Sequence, residues 1–195
     1  MTDIPAVVRS VKADLRALMN GVASAAMRRA GLTQDYRVNF GVEVPRLQAL
    51  AAVLREEHGE DLPPLAGALW KESVRECRIL ALLLMPPDRM EADLAEEWKA
   101  GIRQVELAQL AALHLFSRLS AAADLAFRWI ASQDDISQIV GFYTLAHLLR
   151  THQLSERSQQ ELTDQATAAI AGDNAQVRRA AQCALNRLAT PSPAV

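Results

Sequence analysis

Cysteine is scarce in this chain: of 195 residues only Cys77 and Cys183 carry a thiol, far apart and outside any CxxC pair. That excludes a disulfide framework and argues against a structural zinc site. Long apolar runs are also missing. The longest, such as Ile79–Pro87, fall well short of the roughly 20 residues that cross a bilayer. Asp3, Arg9, Lys12, Asp14 and Arg16 interrupt the apolar residues of the N-terminus, which is not the pattern of a signal peptide. A cytoplasmic monomer with no membrane association is expected. A large excess of positive charge is absent too, the formal net charge being -2, so any nucleic-acid contact has to come from a local basic patch.

Aromatic residues make up only 5 % of the chain, although half of it is hydrophobic. Alanine and leucine supply most of the apolar volume, and both favour helices over sheets. Apolar residues recur at helical spacing almost throughout, with no clean strand-like alternation. Punctuation falls at Gly31, Gly41, Gly59–Pro64, Pro86-Pro87, Gly101, Gln133–Asp135, His152–Ser155 and Gly172–Asn174. Helix starts are signalled by Asp135, by Ser155 and by Asp173-Asn174.

Four segments repeat a register in which a branched residue is followed seven positions later by alanine: Val74 and Ala81, Val105 and Ala112, Ile139 and Ala146, Val177 and Ala184. Leu80, Ala111, Leu145 and Cys183 share one offset, and successive units begin 31, 34 and 38 residues apart. Each has an amphipathic segment before it: Leu65–Lys71, Met90–Lys99, Ala121–Ser132 and Ser158–Ala171. One helix pair per 30 to 40 residues is the signature of stacked helical repeats, because a single pair cannot bury both of its apolar faces. The expected fold is all-α, an alpha-solenoid (alpha-alpha superhelix) of HEAT-like helix pairs. It forms one domain over 1–190, followed by a fraying tail over 191–195.

The chain lacks the motifs of most known chemistries. It has no phosphate-binding loop, no dinucleotide fingerprint, no HExxH and no serine elbow. His147 and His152 stand five apart, while His58 and His114 are isolated. No cofactor and no metal are expected. Glu91, Asp93, Glu96 and Glu97 surround Trp98 and read as a solvated face. Lys71, Arg75 and Arg78 follow at intervals of four and three, which aligns them if the helix is continuous. With Arg103, Arg178 and Arg179 they are the candidate phosphate contacts, on the premise that the second helices of successive pairs line one concave surface. Dispersed solubilising charge explains the same residues equally well.

Two stretches carry a family resemblance. Gly41-Val42-Glu43-Val44-Pro45-Arg46-Leu47-Gln48-Ala49-Leu50-Ala51 is the first; the second runs from Leu65-Ala66-Gly67-Ala68-Leu69-Trp70 through Arg75-Glu76-Cys77-Arg78-Ile79-Leu80-Ala81. Over about residues 40–190 the chain resembles the DNA alkylation repair (AlkD-like) family. The resemblance implies a concave face for duplex DNA and, in active members, excision of cationic alkylated purines. There an aspartate carboxylate stabilises charge on the sugar, while two tryptophans and an arginine hold the backbone. On this chain the family's W-D-x-x-D element falls on Val105-Glu106-Leu107-Ala108-Gln109. The first aromatic is thus Val105, and the catalytic aspartate is Gln109. The arginine position is Ile139 and the final tryptophan position is Cys183.

The expected function is therefore that of a DNA-binding relative without the standard excision activity. Two alternatives stand beside it: an active alkylpurine glycosylase using Glu106, and a scaffold that binds a protein partner. Trp70 and Trp98 are expected to pack in the interior rather than stack on bases.

Overall fold

The computed structural model describes residues 2–190, so the expectation of a frayed 191–195 tail lies outside the described residues. Its residues pack as two compact units, one ending at Arg89 and the other beginning at Met90. The described residues form helices and short turns, with no extended strand and one isolated parallel bridge between Val38 and Val74. None of these helices is long and apolar enough to cross a membrane.

The first unit holds α1 (Ile4–Ala17), α2 (Gly21–Arg29), α3 (Val44–His58), α4 (Leu62–Trp70) and α5 (Arg75–Leu84). Asp3 starts α1 by accepting a hydrogen bond from the Ala6 amide at 3.1 Å, with Pro5 set in the first turn. Both features satisfy the open end of a helix. Val8, Val11 and Leu15 then form its buried stripe, and α1 packs on α4 while α3 and α4 pack on α5. Helix α5 is buried at nine of its ten positions. Helix α2 buries only Ser24 and leaves Val22 exposed.

The second unit contains α6 (Ala92–Ala100), α7 (Val105–His114), α8 (Ala122–Ile130), α9 (Asp135–Leu148), α10 (Glu156–Ala171) and α11 (Ala175–Ala189). Helices α8 and α9 form one antiparallel-type pair by connection, α10 and α11 another, and α9 lies between α7 and α11. Three side chains cap these helices. Asp134 accepts from the Ser137 amide at 2.8 Å, Ser155 from the Ser158 amide at 3.2 Å, and Asn174 from the Gln176 amide at 2.9 Å. The cap of α9 is thus Asp134, one residue earlier than the sequence signal at Asp135. Its carboxyl is held below the usual range chiefly by the Ser137 hydroxyl, which donates to it at 2.7 Å.

The repeat register survives in three dimensions. Ala81, Ala112, Ala146 and Ala184 are all buried, as are Leu80, Ala111 and Leu145. Two members depart from it: Val105 is half-buried, and Cys183 is exposed. Trp70 and Trp98 are in the interior, 6 % and 2 % exposed. Glu96, by contrast, does more than solvate a helix face, because its Oε2 accepts from the Trp129 indole at 2.9 Å.

Close helix approach is sharpest at Gly141. A Cβ built there would lie 2.8 Å from the Ala126 carbonyl oxygen and 2.9 Å from the Ile130 nitrogen, both backbone atoms of α8. Gly141→Ala is therefore expected to cost about 1–3 kcal/mol in overpacking, more than the roughly 1 kcal/mol that alanine contributes through helix propensity. Thermal unfolding followed by circular dichroism should show a lower Tm. An unchanged or higher Tm would mean that α8 and α9 have room to separate.

Candidate nucleic-acid interface

The two motif stretches meet in the first unit, and their meeting is structural. Glu76 is fully buried. Its Oε1 accepts from the Gly41 amide at 3.0 Å and the Val42 amide at 3.3 Å, and its Oε2 accepts from the Phe40 amide at 3.1 Å. Arg75, 1 % exposed, pairs with the same carboxylate at 3.0 Å and donates to the Val42 carbonyl at 3.2 Å. Gly41 permits this loop: its φ is +72°, and a Cβ would come within 2.4 Å of the Asn20 carbonyl oxygen.

This geometry corrects the sequence reading of Lys71, Arg75 and Arg78 as one continuous phosphate-facing stripe. Helix α4 ends at Trp70 and α5 begins at Arg75. The intervening turn is held by the Ser73 carbonyl, which accepts from the Arg37 and Val38 amides at 2.9 and 3.2 Å. Arg75 is out of reach of any phosphate because its charge is spent inside the unit. Arg78 is half-buried, with its guanidinium 5.4 Å from the centre of the Trp70 ring and 6.0 Å from that of Tyr36, within cation–π range. Lys71 alone of the three is exposed, at the end of α4.

In the second unit Arg103 precedes α7 instead of belonging to it, and donates to the Ala100 carbonyl at 2.7 Å. Arg178 turns back onto the end of α10, donating to the Gly172 and Asp173 carbonyls at 2.9 and 2.8 Å. Each thereby satisfies open carbonyls at a helix end. Arg179 is exposed and lines a groove of about 660 Å³ between α9 and α11.

That groove gathers three arginines and a histidine. Arg150 and His147 come from α9; Arg179, Arg187, Cys183 and Asn186 come from α11. No carboxylate lines it, and among the described residues none of the three arginines has an ion pair. Burial holds the His147 imidazole below its usual range, reinforced by Arg150, Arg187 and His114. Of the two cysteines, Cys183 is accessible. Cys77 is buried, and that burial, with Glu72 nearby, pushes its thiol up to about 12.

The residues at the aligned catalytic positions fall on three helices of this unit, α7, α9 and α11. Gln109 is exposed on α7, and its Nε2 donates to the Tyr143 hydroxyl at 3.0 Å. Tyr143 stands one turn before His147 on α9. Ile139 is buried, while Cys183 opens into the groove. Glu106 is half-buried in the first turn of α7, three residues before Gln109. Sequence reasoning passed over Arg150; it placed Arg187 with Arg178 and Arg179 on the last repeat helix, among the arginines available to a phosphate backbone, without choosing it as a contact. Arg179, Cys183 and Arg187 recur every four residues and mark one helix face. Arg150 has no such local signature, since the packing of α9 on α11 brings it there.

A family described as DNA alkylation repair enzyme matches residues 11–194. The chain belongs to this DNA alkylation repair family. Among solved structures it is similar to one from "a new family of proteins related to the HEAT-like repeat DNA glycosylases with affinity for branched DNA structures". The two share 20 % identity, the match covers 94 % of this chain and 76 % of that one, and the TM-score is 0.81. The fold is therefore all-α and of HEAT-like helix pairs, as the repeat register implies. No curated protein matches the chain.

Proposed function

We propose that this member of the DNA alkylation repair family binds DNA through the α9–α11 groove and lacks the family's standard excision of alkylated purines. The observation that carries the DNA reading is the groove's three arginines, none with an ion pair among the described residues, and no acid among its lining residues. Such a surface attracts a polyanion and gains from counterion release when phosphates replace bound ions. The affinity for branched DNA attributed to the similar solved structure is consistent with the same class of ligand.

Loss of excision follows from the chemistry at the aligned aspartate position. Gln109 presents a neutral amide there and directs its Nε2 to Tyr143. An amide carries no negative charge to oppose an oxocarbenium-like sugar, and such electrostatic stabilisation is commonly the largest catalytic contribution. Glu106 supports the second reading, an active glycosylase, because it is the acid of the first turn of α7. A scaffold function predicts neither salt-sensitive DNA binding nor excision.

One set of measurements separates the three. Purified protein is expected to bind linear or four-way-junction DNA with an affinity that falls steeply as salt rises. It is also expected to release no methylated purine from alkylated duplex DNA. Release abolished by Glu106→Gln but retained by Gln109→Ala would instead install Glu106 as the catalytic acid. Absence of any salt-dependent DNA binding would leave the scaffold reading.

A further inference from the structure

We propose that the α9–α11 groove takes up a proton together with a DNA backbone phosphate, and that His147 carries that proton. The inference rests on the reading of the groove as a DNA contact and adds a regulator to it. His147 lines the groove and is half-buried, one turn before Arg150 on its own helix. Helix α11 contributes Arg179, Cys183 and Arg187 to the same groove. From α7, His114 reaches His147 electrostatically, and no carboxylate is among the charged groups that act on it.

In the free protein these surroundings oppose an imidazolium. Burial removes solvent from the ring, Arg150 and Arg187 repel added positive charge, and His114 would do so when protonated. The neutral ring is held below its ordinary titration range. A phosphodiester seated against the arginines reverses the local field. It places a negative charge beside the ring, offsets the arginines, and accepts a hydrogen bond that only a protonated or correctly oriented imidazole nitrogen donates. DNA binding and protonation then favour each other reciprocally.

The sign is fixed by that linkage. His147 has a lowered pKa in the free protein and a higher one in the complex. Affinity therefore tightens as pH falls through the bound-state value, and levels off once pH is below the free-state value. Between the two values the gain approaches about tenfold per pH unit, the limit for one proton.

The test measures binding of a fluorescent DNA duplex at fixed ionic strength from about pH 8 to pH 5.5, the range in which histidine charge changes. Wild type should tighten by several-fold or more on acidification. His147→Gln should lose most of the pH dependence whatever its affinity at the alkaline end, while His114→Gln should keep it. Calorimetry in buffers of different ionisation enthalpy should show net proton uptake by wild type that His147→Gln lacks. A flat wild-type profile, or a slope that His147→Gln leaves intact, overturns the proton coupling while the DNA reading stands. Failure of every protein to bind duplex DNA with salt dependence overturns both.

Discussion

Replacing Glu76 with alanine is expected to remove about 3–5 kcal/mol of unfolding free energy, the range measured when one partner of a buried ion pair is deleted. The loss has two sources. Arg75 would keep its charge in a site where it is 1 % exposed, with the carboxylate that lies 3.0 Å from it gone. The Phe40, Gly41 and Val42 amides would lose the acceptor they share, leaving buried donors unsatisfied at further cost. Urea denaturation followed by far-ultraviolet circular dichroism reads the effect directly. Glu76→Gln should fall between wild type and alanine, since the amide oxygen still accepts while the charge is lost. A loss below about 1 kcal/mol for Glu76→Ala would be inconsistent with a desolvated pair. It would mean that water or a rearranged Arg75 replaces the carboxylate.

This pair also marks the boundary between what the amino-acid pattern discloses and what packing decides. The helix pairs are legible because close helix contact needs a small side chain once per unit, and Ala81, Ala112, Ala146 and Ala184 are all buried there. Helix α10 begins only two residues before its expected start at Ser158 and ends at the expected Ala171. Lys71, Arg75 and Arg78, by contrast, have the spacing of a helix face but do not share one. The break between α4 and α5 is held by backbone bonds from Arg37 and Val38 to Ser73, partners more than thirty residues away in sequence. No local spacing encodes such a pairing. Arg75 and Glu76 look like exposed charge for the same reason: their burial depends on the Phe40–Val42 loop folding over them. At the groove, the four-residue rhythm of Arg179, Cys183 and Arg187 is readable on one helix, whereas Arg150 joins them only through packing.

Simultaneous replacement of Arg150, Arg179 and Arg187 by alanine is the decisive perturbation of the proposed DNA contact. Binding through Z phosphate contacts varies with salt to a power of roughly -0.9Z. If each arginine meets one phosphate, the triple variant should reduce the magnitude of the logarithmic salt slope by about 2.7 and weaken binding roughly 500-fold at 0.1 M salt. Folding should be little changed, because none of the three has an ion pair among the described residues and all border open groove; an unaltered melting curve serves as the control. Arg103 and Arg178 provide the contrast. Both are tied to backbone carbonyls at helix ends, so their replacement should act mainly on stability and change the salt slope by less than about one unit in total. Fluorescence anisotropy over a series of salt concentrations distinguishes the two sets. Equal slopes for wild type and the triple variant would move the DNA contact away from this groove. A reduced slope confined to the triple variant would place the phosphate contact on α9 and α11, the helices that carry two of the four aligned positions, Ile139 and Cys183.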